Sequence, residues 1–282
     1  MDSSERSAAM APPRVVACMP TWNAESFLEQ TLESLAAQTY PHLDILISDD
    51  ASTDRTPEIC ARFAANHPRC RLMRQELRRG WTGNVTRLLQ VAEGDYLFFA
   101  FHDDPLSPTY VERLVEALWA NPRAVLAFSD IATGGETRSY RELEGVDERV
   151  ERGRRMIWKN GAWWIPNRGL FRADAGKRVG GVYRHSGGEY SADWPWLLHL
   201  ALLGEFVRVP EPLVRKAWRK EGLSHSWRGT LRQKLGVTLS CMREVRRAGL
   251  RASEEFALHR EIVVHGLAAL RADAREAGPR GR

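Results

Sequence analysis

Two pairs of adjacent aspartates carry the strongest chemical signal in this sequence: Asp49-Asp50 and Asp103-Asp104. Each pair follows an apolar run of strand character, residues 43–48 and 96–101, with His102 preceding the second pair. Neighbouring carboxylates repel, so such a pair needs a reason. A single pair after a strand is accounted for by an Asx turn or a helix cap. Two pairs ending two strands of one sheet point to function. One carboxylate can accept a hydrogen bond from a nucleobase N–H and another can hold ribose hydroxyls. A hard divalent cation bridges one or two carboxylates to substrate phosphates, where it offsets the charge of a leaving diphosphate. A third apolar run, 15–19, ends in the tight turn Pro20-Thr21-Trp22-Asn23.

The elements that must position these residues alternate between two periods. Runs at 15–19, 43–48, 96–101 and 124–129, with a weaker one at 70–74, read as buried parallel strands. Helical spacing fills the gaps. Residues 25–38 carry Phe27, Leu28, Leu32 and Leu35, and 56–66 open on Thr56 and Pro57, a cap followed by proline at the first helical position. Residues 83–92 and 107–120 complete the set. This alternation predicts an α/β fold, a Rossmann-like, mostly parallel sheet flanked by helices. Such sheets bind ligands at the carboxyl ends of their strands, where the aspartates stand.

Beyond residue 130 the period is lost until 160, which reads as a variable loop. Residues 163–172 read as extended, 193–203 as a helix, 206–209 and 213–218 as two short strands, and 229–248 and 253–274 as helices. The expected organisation is a disordered leader (1–13), a main domain (14–226) with halves 14–130 and 131–226, and a helical extension (227–282).

The 282 residues carry 43% hydrophobic and 27% charged side chains, an ordinary globular balance. No stretch approaches the roughly 20 apolar residues of a membrane span, and the first residues lack the apolar core of a signal peptide. The cytoplasm is the expected compartment. Four cysteines without metal or C-x-x-C spacing read as reduced thiols. The first strand is followed by no Gly-rich phosphate loop, which excludes dehydrogenases and argues against nucleotidyltransferases. Between 215 and 251, eleven Lys and Arg face two Glu. The helix there, with Leu231, Leu235, Val237, Leu239 and Met242 among the basic residues, could lie on anionic lipid, on its own domain or on a second copy; packing on the domain is preferred. Nucleic acid is not an expected partner, since that basic segment is its sole support.

The stretch from Val15 through Asp49-Asp50 to Thr56, the later Ala92-Glu93-Gly94-Asp95-Tyr96 run into His102-Asp103-Asp104, and the segment from Asp193 to Phe206 together resemble family 2 glycosyltransferases of the A-type fold, over about residues 15–218. The resemblance implies an inverting, metal-assisted glycosyl transfer from a UDP-sugar, with dTDP-sugar as the variant donor, to an acceptor hydroxyl. Transfer to N or S, and a catalytically silent binder of nucleotide-sugar or glycan, remain as alternatives. Residue by residue, it implies that Pro20, Thr21 and Asn23 line the nucleotide and that Asp50 binds the base. Arg79 and Gly80 lie beside the nucleotide, Asp103 contacts ribose or sugar, and Asp104 ligates Mn²⁺ or Mg²⁺, with His225 a further candidate ligand. Asp193 takes the place of the catalytic base; an N-cap of its helix is the structural alternative. On the acceptor side stand Trp163, Arg168, Glu189 and Trp194, with Arg172 beside Arg168 as a further anion-binding candidate. Phe101 stands where many members have another Asp, and Ala192 where many have Glu.

Overall fold

The computed structural model describes residues 11–158, 161–216 and 229–276, with side chains of the last helix to residue 269. The strands are β1 (Val15–Thr21), β2 (Leu43–Asp49), β3 (Cys70–Arg74), β4 (Tyr96–Phe99), β5 (Ala124–Thr133), β6 (Glu136–Arg138), β7 (Leu170–Arg172) and β8 (Glu205–Arg215). The helices are α1 (Leu28–Ala36), α2 (Thr56–Asn66), α3 (Gly80–Val91), α4 (Tyr110–Ala120), α5 (Arg149–Trp158), α6 (Ala173–Val179), α7 (Asp193–Leu203), α8 (Leu231–Arg247) and α9 (Ala252–Glu276), with a 3₁₀ turn at Pro166–Arg168.

One sheet runs β3-β2-β1-β4-β7-β5-β6, and β8 pairs with β5. Strands β3, β2, β1 and β4 are parallel. Every residue of β1 is buried, as a central strand covered on both faces requires. The register sets Thr21 beside Asp49 and Cys18 beside Phe99, so three strands end at one edge and their following turns converge there. Pro20 is tolerated in this central strand because the pairing with β4 ends at Cys18, and its missing N–H interrupts nothing on that side. The sheet is mixed rather than wholly parallel: β7 runs antiparallel to both β4 and β5.

Three expectations change. The 163–172 segment is extended only in β7; the chain before it turns and forms the 3₁₀ helix. Gly169 passes so close to β5 that a Cβ there would lie 2.6 Å from the Ala127 carbonyl oxygen. The two short strands at 206–209 and 213–218 are one strand, β8, kept parallel to β5 through irregular register around Asp130 and Pro212. Trp218 lies outside the described residues. The aperiodic 130–160 stretch holds the end of β5, β6 and α5.

Helix α5 escapes the hydrophobic pattern because its inner face contains an arginine. Arg152 is 4% exposed and donates to the carbonyls of Ala201 (2.7 Å), Val146 (3.1 Å) and Asp147 (2.7 Å). Gly153 beside it lets Leu202 and Leu258 approach. Arg152→Met is expected to cost about 3 kcal/mol, since the carbonyls it satisfies lose a charged donor. Urea denaturation would show this as a lower midpoint at unchanged slope.

The C-terminal helices pack on the main domain: α8 on α7, and α9 on both α8 and α5. His199 Nδ1 meets Glu244 Oε2 at 2.9 Å in the buried α7–α8 contact. Burial raises the Glu244 pKa, but the His199 hydrogen bond, Arg247 and Arg243 bring it below its ordinary value. Trp158 Nε1 donates to Glu261 (2.9 Å), tying α5 to α9. The four cysteines are free thiols, and burial pushes those of Cys18 and Cys60 up to about 12, so they are inert at neutral pH. Among the described residues, no helix is long and apolar enough to cross a membrane.

Candidate active site at the strand ends

The first aspartate pair divides its labour. Asp49 accepts from the backbone N–H of Ser52 (3.2 Å) and from Ser52 Oγ (2.5 Å), shaping its own turn. Asp50 reaches the next loop, where Oδ1 accepts from the Arg79 N–H (2.7 Å) and Oδ2 from the Gly80 N–H (2.9 Å). Burial holds its pKa above the carboxylate norm, although these two N–H groups and Arg78 pull the other way. Gly80 adopts φ +76, and a Cβ there would lie 2.6 Å from Glu189 Oε1. The Arg78 guanidinium lies 3.4 Å from the Trp22 ring centroid, bringing that turn to the same loop.

Several residues expected at the nucleotide have structural employment. Thr21 is buried, with Oγ1 directed 3.4 Å toward the Ser48 carbonyl. Asn23, at φ +45, accepts from the Thr53 N–H (2.9 Å) and donates its own N–H to Ser52 Oγ (3.0 Å), locking the β1 turn to the β2 turn. The Pro20 carbonyl lies 2.8 Å from His102 Nδ1, and the His102 ring stacks on Phe27. His102 therefore supports the turn.

Glu189, expected on the acceptor side, lies beside the Gly80 loop. Its Oε1 accepts from the Thr82 N–H (2.9 Å) and Oγ1 (2.8 Å), capping α3 beside Gly80. Gly80→Ala is expected to weaken nucleoside diphosphate binding by about tenfold, because a methyl at a positive φ displaces Glu189 and shifts the two N–H groups on Asp50. Calorimetric titration of UDP would measure it.

The second pair is asymmetric. Asp103 is half-buried, whereas Asp104 is 2% exposed and ion-paired on both oxygens. Arg168 Nε donates to Oδ2 (2.6 Å), and Lys216 Nζ lies 3.4 Å from Oδ1. The Arg168 guanidinium also donates to the Trp164 carbonyl (2.7 Å) and lies 4.8 Å from the Phe101 ring centroid. Burial and the neighbouring Arg168 lower the Lys216 pKa, with Asp104 and Asp103 opposing. Among the described residues, no group of three His, Cys, Asp or Glu could enclose a metal ion. Both Asp104 oxygens face cations among the described residues, so a divalent ion on Asp104 would have to displace Arg168 or Lys216. His225 lies outside the described residues.

Asp193 is the first residue of α7, not its cap; the cap position is Ala192 and no side chain caps the helix. Ser191, at φ +47, sets the turn into the helix. Asp193 is 6% exposed. Asn167 Nδ2 donates to its Oδ2 (2.6 Å), while its Oδ1 and Asn167 Oδ1 are buried without a partner among the described residues. Burial pushes its pKa up to about 7 against the lowering influence of nearby N–H groups and Arg168. The 3₁₀ turn at Pro166–Arg168 thus places consecutive side chains on the two key carboxylates, Asn167 on Asp193 and Arg168 on Asp104. Sequence reasoning missed Asn167 and Lys216: an Asn after Pro reads as a turn residue, and Lys216 is one of many basic residues in its segment.

The remaining acceptor-side candidates separate. Trp163 and Trp194 stack with centroids 6.5 Å apart and line a cavity of about 350 Å³ with Tyr190, Lys234, Val237 and Ile262. Trp164 turns the other way, toward Arg168. Arg172 has no place here: its guanidinium donates to the carbonyls of Ala124 (2.8 Å) and Leu118 (3.0 Å), bracing β7.

Strand-end carboxylates that organise backbone loops, a basic pair and a buried acid thus gather at one edge of this α/β domain. Residues 16–176, more than half of the chain, match the Glycosyl transferase family 2 model, and the chain belongs to that family. It is 31% identical over 133 residues to the glycosyltransferase GlyA of Streptococcus pneumoniae serotype 4, covering 47% of this chain and 18% of that protein. The matched segments span between 14% and 41% of eight curated relatives. In structure it is similar to S. aureus TarS 1-349 in complex with UDP-GlcNAc: TM-score 0.72, 16% identity, 90% of this chain and 73% of that one. It is also similar to the mannosyltransferase PcManGT of Pyrobaculum calidifontis in complex with GDP-Man and Mn²⁺: TM-score 0.60, 20% identity, 96% and 77% coverage. These likenesses establish the A-type glycosyltransferase fold.

Proposed function

We propose that this chain transfers a glycosyl group from a nucleoside diphosphate sugar, a UDP-sugar in the first instance, to an acceptor hydroxyl with inversion at the anomeric carbon. The observation that carries this reading is Asp193: a buried carboxyl, held on one oxygen by Asn167, unpartnered on the other among the described residues, with its pKa pushed up to about 7. A general base works best when its pKa lies near the operating pH. The acceptor hydroxyl supplies the donor that Oδ1 lacks. It gives up its proton to Asp193 as its oxygen forms the new bond to the anomeric carbon. The bond from that carbon to the diphosphate breaks on the opposite face, and the electron pair leaves with the nucleotide.

The donor is assigned to the edge formed by the turns after β1, β2 and β4. Asp50 with the Arg79–Gly80 loop faces the nucleotide, and Asp103 the ribose or sugar. UDP-GlcNAc in TarS and GDP-Man in PcManGT support a nucleotide-sugar in this fold. Positive charge beside the diphosphate comes from Arg168 and Lys216, the cations already on Asp104. Fixed cations aimed at developing charge stabilise a departing diphosphate.

Isothermal titration of UDP and other nucleoside diphosphates, with Mn²⁺ and with EDTA, tests the donor site. UDP binding that survives EDTA supports the site as drawn. Binding that requires Mn²⁺ and is lost in Asp104→Ala returns Asp104 to the role of metal ligand. No binding of any nucleoside diphosphate by the folded protein overturns the donor assignment.

A further inference from the structure

Helices α8 and α9 each carry two apolar faces, and among the described residues only one of them is buried. In α8, Val237, Cys241 and Val245 are buried, yet Leu231, Leu235 and Leu239 are 57%, 46% and 61% exposed. These three recur every fourth residue and form one stripe. In α9, Leu258 and Ile262 are buried while Phe256, Val263 and Leu267 are 73%, 42% and 49% exposed, again on one face. The line of contact between the helices passes through Thr238 and Gly266, whose Cβ, if present, would lie 3.3 Å from Thr238 Oγ1. In each helix that line falls between the inner and outer faces. In a hairpin closed by the short turn around Gly249, the two outer stripes therefore flank one seam and face the same way.

Contiguous apolar patches of this kind are rare on free surfaces of soluble monomers and mark an interaction site. Charge identifies the occupant. Arg232 and Arg246 on α8 and Arg260 on α9 are exposed around the stripes; Arg246 and Arg260 are only partly offset by Glu255 (3.5 Å) and Glu261 (3.4 Å). Arg232 and Arg246 belong to the basic segment 215–251, so the positive charge of this face comes chiefly from α8. A two-fold contact with a second copy would set these arginines against their own kind. A surface of anionic lipid takes both the leucines and the guanidinium groups.

We propose that the outer face of the α8–α9 hairpin docks on an anionic bilayer surface, with Leu231, Leu235, Leu239, Phe256, Val263 and Leu267 in the acyl boundary and the arginines at the headgroups. The same helices wall the cavity beside Trp163 and Trp194. Docking therefore holds the acceptor side of the site close to the membrane, a consequence that rests on the transferase reading.

The test is co-sedimentation of the full chain with phosphatidylcholine vesicles, with and without about 30% phosphatidylglycerol, at low and at roughly 0.15 M salt. The expected result is binding to the anionic vesicles, weakened by salt. The combined Leu235→Ser and Leu239→Ser variant should bind at least about tenfold more weakly, since each leucine loses apolar burial. Both substitutions are at exposed positions, and unchanged circular dichroism and UDP titration would confirm an intact fold. No binding to anionic vesicles overturns the proposal, as does equal binding by the variant. A dimer in sedimentation equilibrium that the same substitutions dissociate assigns the face to a second copy instead. Vesicle binding without UDP binding would sink the donor assignment alone, and the converse would sink docking alone.

Discussion

Asp193→Asn is expected to lower turnover by about 10²–10⁴-fold, the range lost when a general base is removed, with UDP affinity nearly unchanged. The amide keeps the shape of the carboxyl but cannot accept a proton. The pH dependence gives a second signature. In the wild type, kcat/KM should rise with pH through about 7, where Asp193 ionises, and the variant's residual activity should lack that limb. The stability effect has the opposite sense. The folded state holds the Asp193 proton more tightly than the unfolded chain, where the pKa is about 3.9. Stability from this group is present at low pH and is lost as pH rises from that value through about 7. Asp193→Asn, which cannot ionise, should therefore be at least as thermostable as wild type at pH 8. An inactive but stable variant separates a base kept at a cost in stability from a structural residue. A variant with wild-type turnover would remove Asp193 from the chemistry.

Arg168→Ala should be the second most damaging change. It leaves Asp104 buried with Lys216 as its remaining cation among the described partners, and takes a guanidinium from beside the assigned diphosphate. A loss on the order of 10²-fold in kcat/KM, about 3 kcal/mol, is the scale for one electrostatic contact to a transition state. Arg168→Lys should recover only part of it, because the side chain contacts Asp104 and the Trp164 carbonyl through separate nitrogens of one planar group. Steady-state kinetics on both variants, with UDP titrations alongside, would show whether the loss lies in donor binding or in turnover. Arg168→Ala with unchanged kcat/KM would reduce the ion pair to a structural one.

The N-terminal half of the fold was legible in the sequence because its signals are local. Strands β1 and β2 declare themselves as short apolar runs, and the aspartates follow them directly. Helix α5 was not legible, since Arg152 turns inward onto carbonyl groups that no periodicity rule anticipates. Strand β8 was split in two because Pro210 and Pro212 read as breakers, whereas the structure keeps pairing through shifted register. At the site, Asp50, Asp104 and Asp193 could be found one by one, but their partners could not. Asn167 and Lys216 reach them from distant segments, and only the folded chain brings them together. The α8 leucines show the same limit: the sequence favoured packing for the whole apolar set, and Leu231, Leu235 and Leu239 face outward instead.

The three-residue turn at Pro166–Arg168 ties two carboxylates from distant segments, Asp193 and Asp104, to one short stretch of backbone. Asn167 and Arg168 are neighbours in this turn, so a shift of its backbone would move the partners of Asp193 and Asp104 together. On the transferase reading, such a shift on donor binding would give an ordered sequence, donor before acceptor, which product-inhibition kinetics would show.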